Sequence, residues 1–178
     1  SSGSQHSTNA VSAAASVTPR DVVKHYAVLV SANYEDSITS AKAMQKAIAQ
    51  FLTKPSEDGL QKARKAWLEA REYYGQTEAF RFSGGPIDDD NGPEGRLNAW
   101  PMDESYVDYV EGNAKAGLIN NPKIAITKKN LSALNERDGE ENIATGWHAI
   151  EFMLWGQDLS ADGPGDRPST DFIPATKH

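Results

Sequence analysis

The segment that decides the fold is residues 18–55, TPRDVVKHYAVLVSANYEDSITSAKAMQKAIAQFLTKP. Its apolar residues recur in steps of three and four, the spacing of an amphipathic α-helix. These residues are Val22, Tyr26, Val30, Tyr34, Ile38, Ala41, Met44, Ile48 and Leu52. Thr18 as an N-cap and Pro19 in the first turn predict where the helix begins. Lys54-Pro55 predicts where it ends, because the residue before a proline disfavours helical backbone.

A second amphipathic segment follows after a short break, with Ser56 as its expected cap and an end expected near Phe82. Its apolar and small positions again follow helical spacing. They are Leu60, Ala63, Trp67, Ala70, Tyr74 and Thr77. Because the break is short, the two helices are predicted to form an antiparallel hairpin. Alternating runs of β-branched residues are nearly absent, so the chain is predicted to be all-α, an antiparallel bundle resembling a four-helix bundle.

The sequence as a whole divides into three predicted regions. Residues 1–17 are small, polar and repetitive, and we expect a flexible tether there. Residues 18–160 carry the helical patterns and are expected to form the helical-bundle domain. Residues 161–178 begin in a Gly-, Pro- and Asp-rich stretch and are expected to be an interdomain linker or a nicked loop. A second loop, over residues 83–101, is long enough to suggest a functional role.

Composition excludes several classes of function. The 178 residues carry a formal charge of -7, which argues against nucleic acid as a partner, because phosphate binding needs a basic surface. The chain has no cysteine, which excludes disulfides, thiolate metal sites and cysteine nucleophiles. No apolar run approaches the roughly 18–20 residues of a membrane-spanning helix. Residues 1–17 also lack the basic start and apolar stretch of a signal peptide.

The chemistry is concentrated in residues 146–158, GWHAIEFMLWGQD. His148 and Glu151 are three residues apart, so on a helix they lie on one face and can both reach one cation. A carboxylate among apolar residues is costly to bury unless it binds a metal, pairs with a basic group or accepts a hydrogen bond. Gly146 is unfavourable inside a helix and suggests the close approach of a backbone or ligand. In the alternative interpretation, His148 only donates to Glu151 or to a backbone carbonyl.

The extended motif Gly146-x-His148-x-x-Glu151 resembles the signature of the imelysin-like proteins, a bacterial group also classed among peptidases. Further stretches along the chain match this group. They are Ala66-Trp67, Arg71, Tyr74, Glu78 to Phe82, Gly85 to Asp88, Leu97 to Pro101, Asp103-Glu104 and Asp162 to Phe172. The resemblance extends from about Thr18 to the last residue. It implies two similar helical-bundle domains, of which these residues supply the N-terminal one, with the C-terminal half of the same protein as its partner.

The resemblance also implies a function and a set of ligands. It implies a periplasmic or surface-anchored bacterial protein of iron acquisition, with a lipid anchor at the outer membrane as one means of attachment. His148 and Glu151 are the implied metal ligands, and Glu78 and Asp88 best match the acidic ligands of related metal-binding bundles. Such oxygen and imidazole ligands suit iron, zinc or manganese, with iron or zinc preferred here. Glu78 could equally be a solvated acid at a helix end, and Asp88 could cap its loop.

The sequence is compatible with three functions. A zinc peptidase usually needs three protein ligands and a general base, and the His-Glu-x-x-His motif that supplies a base is missing. Binding of a metal ion or an iron-containing ligand is therefore preferred over catalysis. The alternatives are a metallopeptidase with the rest of its site in the second domain, and a structural or interaction module without metal. Trp100-Pro101 is interpreted as a plug at the end of the bundle in preference to a pocket wall.

Overall fold

The structure, a computed structural model, describes residues 16–174. Residues 1–15 of the predicted tether and 175–178 of the predicted linker lie outside the described residues. The all-α prediction is confirmed, because the described part of the chain contains six α-helices, three single-turn 3-10 helices and no strand. The α-helices are α1 (Pro19–Thr53), α2 (Glu57–Thr77), α3 (Glu94–Leu97), α4 (Glu104–Val107), α5 (Lys128–Leu134) and α6 (Trp147–Trp155). The 3-10 helices are Glu78–Phe80, Leu118–Asn120 and Ser169–Phe172.

Both long helices begin at the caps that the sequence predicts. The Thr18 hydroxyl accepts a hydrogen bond from the Asp21 backbone N–H at 3.3 Å, and the Asp21 carboxylate accepts one from the Thr18 N–H at 3.0 Å. The Thr18 hydroxyl also donates to the Asp21 carboxylate at 2.6 Å, and this bond, together with the one from the Thr18 N–H, lowers the pKa of Asp21. Pro19 occupies the first turn, where its missing N–H is no loss. In α2 the Ser56 hydroxyl accepts from the Gly59 N–H at 3.2 Å, so local capping defines both starts.

Helices α1 and α2 form the predicted antiparallel hairpin along a seam of buried side chains. The buried residues are Ser37, Met44 and Phe51 in α1, and Leu60, Ala63, Arg64, Trp67, Ala70, Tyr74 and Thr77 in α2. Ile38 and Leu52, which belong to the predicted apolar face of α1, are instead exposed. Each step of four residues turns the helix about 40° past a full turn, so the series from Val22 to Ile38 drifts about 160° around α1. The buried seam follows a spacing of seven residues instead.

Helix α2 ends at Thr77, earlier than the predicted end near Phe82. The Thr77 hydroxyl donates to the Tyr74 carbonyl at 2.6 Å, and the chain then tightens into a 3-10 turn. Phe82 has a φ of 67°, in the left-handed region. A residue in that conformation cannot continue a right-handed helix, so the chain leaves the hairpin axis here.

Helix α6 packs against α2 and is held there by tryptophan and arginine side chains. The indole N–H of Trp67 donates to the Trp147 carbonyl at 3.1 Å. The Trp67 ring also lies edge-on to the rings of Trp147 and Trp155, with centroids 6.2 and 5.4 Å away. The buried Arg64 donates to the Leu154 carbonyl at 3.0 Å. Helix α6 is therefore positioned by direct contacts to the central helix of the core.

The segment after α6 packs back on the domain. Arg167 forms a buried ion pair with Asp108, with 2.7 Å between Nη1 and Oδ2. Phe172 lies edge-on to Phe51 of the hairpin, with ring centroids 4.8 Å apart. The role of residues 161–178 as an interdomain linker stays a prediction. Between residues 16 and 174, no helix combines the length and the apolar character that crossing a membrane requires.

Candidate functional site

Gly146 fixes the start of the helix that carries the motif. It is the N-cap of α6, not an interior residue as the sequence interpretation placed it, and its φ is 91°. A Cβ at this position would come within 2.5 Å of the Leu97 carbonyl oxygen. The predicted close approach of a backbone is confirmed. The absence of a side chain at Gly146 lets the C-terminal end of α3 lie against the start of α6, two residues before His148.

His148 and Glu151 meet on one face of α6, as their spacing predicts. His148 Nδ1 and Glu151 Oε2 are 3.3 Å apart, with the imidazole 17% exposed and the carboxylate 44% exposed. The Trp100 ring lies 4.7 Å from the imidazole, measured between centroids. The interpretation of Trp100 as a plug is wrong, because its side chain is 68% exposed and borders an open cavity. Trp100 is a wall of the site.

That cavity has a volume of about 460 Å³ and lies between α2, α6 and two loops. Its lining combines aromatic and apolar groups with acids and one histidine. The lining residues are Trp67, Leu68, Trp100, Met102, Glu104, His148, Glu151, Phe152, Trp155, Gly156, Asp158, Pro164 and Gly165. Three are carboxylates and none is lysine or arginine. We call this space the acidic-aromatic cavity.

Sequence reasoning missed two acids of the acidic-aromatic cavity, Glu104 and Asp158. Burial raises the pKa of Glu104, against the effect of a hydrogen bond with the Gln157 side chain. The negative charges of Asp158 and Asp103 raise it further. Asp158 closes the motif stretch and could have been found from it. Glu104 is the first residue of α4, far from the motif in sequence, and helical spacing within the motif could not place it beside His148.

Glu78 lies outside the acidic-aromatic cavity, beside a neighbouring cleft. One of its oxygens is 3.6 Å from Arg71 Nη1 and 3.9 Å from Arg81 Nη1. The same oxygen accepts a hydrogen bond from the Asn98 side chain at 3.3 Å. In the structure the Glu78 carboxylate therefore has two cationic partners of its own.

Asp88 organises the loop that follows α2. One carboxylate oxygen accepts from the Gly85 N–H at 3.0 Å, and the other accepts from the Phe82 N–H. These are the contacts of a loop-capping aspartate. Asp88 is likewise absent from the lining of the acidic-aromatic cavity.

The structure brings together two of the four predicted metal ligands, His148 and Glu151. Within residues 16–174, no group of three or more histidine, aspartate and glutamate side chains is arranged to hold a metal ion. The pair fits a metal as part of its ligand set, because an imidazole nitrogen and a carboxylate oxygen converge there and both suit iron or zinc. The ligand roles of Glu78 and Asp88 stay predictions.

Two comparisons relate this chain to known proteins. The chain is 30% identical over 127 residues to "Iron-regulated protein A" of Synechococcus elongatus. The match covers 71% of this chain and 29% of that relative, so the chain spans less than a third of its relative's length. The model of the peptidase M75 family, described as imelysin, matches residues 30–178, which include the whole acidic-aromatic cavity. The chain therefore belongs to the imelysin family.

Proposed function

We propose that this domain binds a metal ion or a metal-containing ligand through His148 and Glu151, as part of an iron-acquisition protein. The observation that carries the proposal is the 3.3 Å approach of the imidazole and the carboxylate at the wall of the acidic-aromatic cavity. The name of the Synechococcus relative supports the link to iron. We further propose an exported protein in the periplasm or anchored at the outer membrane, with the rest of a longer protein as the second domain.

The charge of the acidic-aromatic cavity favours a cation over a purely structural pair. A histidine that only orients Glu151 would produce the same 3.3 Å contact. Glu104 and Asp158 add two carboxylates to the same lining, without a basic residue among them. Carboxylates that share a partly buried space repel one another, and a bound cation relieves that repulsion. Their common placement is therefore most simply explained by a cationic ligand.

Calorimetric titration of Fe(II), Zn(II) and Mn(II) into the protein and its variants tests the proposal. We expect stoichiometric binding by the unsubstituted protein and at least a tenfold loss of affinity in His148→Ala and in Glu151→Gln. Each variant removes one of only two proposed protein donors, and a tenfold loss of affinity corresponds to about 1.4 kcal/mol. Glu72→Gln is the matched control, since it removes an exposed acid of α2 that does not line the cavity and is expected to keep its metal affinity.

The structural alternative makes the opposite prediction for the same variants. If His148→Ala and Glu151→Gln bind metal as well as the unsubstituted protein and lose only thermal stability, the pair serves the fold and the proposal fails. Loss of metal affinity in Glu78→Gln or Asp88→Asn would instead extend the ligand set to those positions.

A further inference from the structure

The acidic-aromatic cavity is much larger than a bare ion needs. Its volume of about 460 Å³ lies within the range of roughly 300–1,000 Å³ typical of small-molecule sites. A metal ion with six waters occupies roughly 180 Å³, at about 30 Å³ for each water. The space beside His148 and Glu151 therefore accommodates an organic body as well as a metal.

The walls of the cavity are those of an organic-ligand site. Trp67, Phe152 and Trp155 face it from α2 and α6, and Trp100 borders its opening next to His148. Hydrated ions gain nothing from apolar surface, whereas an aromatic ligand is stabilised by removing such surface from water and by stacking. Trp100 is an exposed indole without an apolar cover, so a planar ligand can lie against it.

The protein ligands are too few to enclose a metal by themselves. His148 and Glu151 supply two donor atoms, and no larger cluster exists in the part of the chain that the structure describes. Transition metals such as zinc are usually held by three or four donors besides solvent. A metal that arrives with part of its coordination shell filled by a chelator needs only the two donors that α6 offers.

The negative charge of the cavity lining favours some classes of metal chelate over others. Glu104, Glu151 and Asp158 are acidic, and the lining contains no lysine or arginine to receive an anion. Polycarboxylate chelates such as citrate would place negative charge against these carboxylates, which costs free energy in a partly buried site. A neutral or cationic chelate avoids this cost, and a cation also interacts favourably with the faces of the tryptophan rings.

From the size, walls and charge of the cavity, we infer that its ligand is a metal carried in an uncharged or cationic chelate with an aromatic body. His148 and Glu151 complete the coordination of that metal, and Trp100 stacks on the chelator. The inference rests on the proposed metal-binding function and specifies its ligand class. It makes Trp100 a ligand-selective residue, which adds more to the affinity for the chelate than to the affinity for a bare ion.

The test uses the 1:1 complex of Zn(II) with 1,10-phenanthroline, compared by calorimetry with Zn(II) alone, phenanthroline alone and zinc citrate. We expect the phenanthroline complex to bind at least tenfold more tightly than any of the other three. Trp100→Ala should remove this gain, measured within the same variant as the ratio of its affinities for the phenanthroline complex and for Zn(II) alone. Phe82→Ala is the matched control, because Phe82 is also an exposed aromatic but does not line the cavity.

The outcomes separate this inference from the proposed function. If Zn(II) alone or zinc citrate binds as tightly as the phenanthroline complex, with the binding lost in Glu151→Gln, the chelate inference is overturned and metal binding stands. Equal binding by phenanthroline alone overturns the inference too, since the metal then adds nothing. If no zinc species binds, the proposed function and the inference fall together.

Discussion

At the scale of single residues, Gly146 shows how one missing side chain can determine a site. Its φ of 91° belongs to the left-handed side of the backbone map, and the Leu97 carbonyl occupies the space a Cβ would need. Leu97 is the last residue of α3, and the loop that contains Trp100 begins directly after it. The contact at Gly146 therefore sets how close the start of this loop lies to α6. Gly146 acts on the pair of His148 and Glu151 only through the backbone that it allows to approach.

Replacing Gly146 with alanine is therefore expected to lower the free energy of unfolding by about 1–3 kcal/mol or more, as strained backbone positions do. Gly75 is the matched control, since it lies in α2 with open space around its Cβ position. Gly75→Ala is expected to stabilise the protein by about 0.5–1 kcal/mol, because alanine favours helix. Urea unfolding of both variants measures the difference. Equal effects at the two positions would show that the contact with Leu97 carries no strain.

At the scale of elements, the hairpin shows where an apolar pattern predicts burial and where it does not. Positions Val23, Val30, Ser37, Met44 and Phe51 follow the seven-residue seam of α1. Met44 is 6% exposed against α2, while Val23 is 68% exposed beyond the part of α1 that α2 covers. The two residues lie about 60° apart around the helix, on broadly the same side, and differ mainly in what lies opposite.

Truncating each of these two residues to alanine is expected to show that burial against α2, and not the apolar pattern alone, determines how much a residue stabilises the fold. Met44→Ala should lower the free energy of unfolding by about 2–5 kcal/mol, as core truncations do. Val23→Ala should change it by less than about 0.5 kcal/mol, since it removes exposed surface. The measurement is the urea midpoint at constant slope. A large loss in Val23→Ala would mean that the start of α1 has a partner under the conditions of the experiment.

The same contrast explains which features of the fold and the site could be predicted from the sequence. Helix starts were predictable because Thr18 and Ser56 act on N–H groups three residues away, and His148 and Glu151 were predictable because helical spacing alone brings them together. The extent of the buried face of α1 was not: Met44 is buried and Ala41 and Ile48 pack on the core as predicted, whereas Ile38 and Leu52 are exposed, because burial depends on the length and position of α2. The place of Glu104 was also beyond local reasoning, since the path of a loop between short helices is set by distant contacts.

At the scale of the whole molecule, the segment after α6 closes the fold through one buried ion pair. Arg167 is 5% exposed, and its guanidinium lies 4.8 Å from the Tyr109 ring centroid and 5.5 Å from that of Phe152. Its charge is answered by Asp108, which also accepts hydrogen bonds from the Tyr109 N–H and the Asn120 side chain. The same segment contributes Gly165 to the lining of the acidic-aromatic cavity. Folding of this segment and the shape of the site are therefore coupled.

Asp108→Asn is expected to lower the free energy of unfolding by up to about 3–5 kcal/mol, because it removes the closer carboxylate partner of the buried Arg167 and leaves only Asp171, at 3.6 Å. Asp58→Asn is the matched control: its partner Lys62 is equally close, at 2.6 Å, but both side chains are exposed, so a loss below about 1 kcal/mol is expected. Hydrogen exchange over residues 160–172 should accelerate in Asp108→Asn alone, since the segment loses its anchor. Zinc–phenanthroline affinity should fall with it, because Gly165 no longer holds one wall of the cavity. Unchanged exchange in a destabilised Asp108→Asn would show that the ion pair stabilises the core without anchoring the segment.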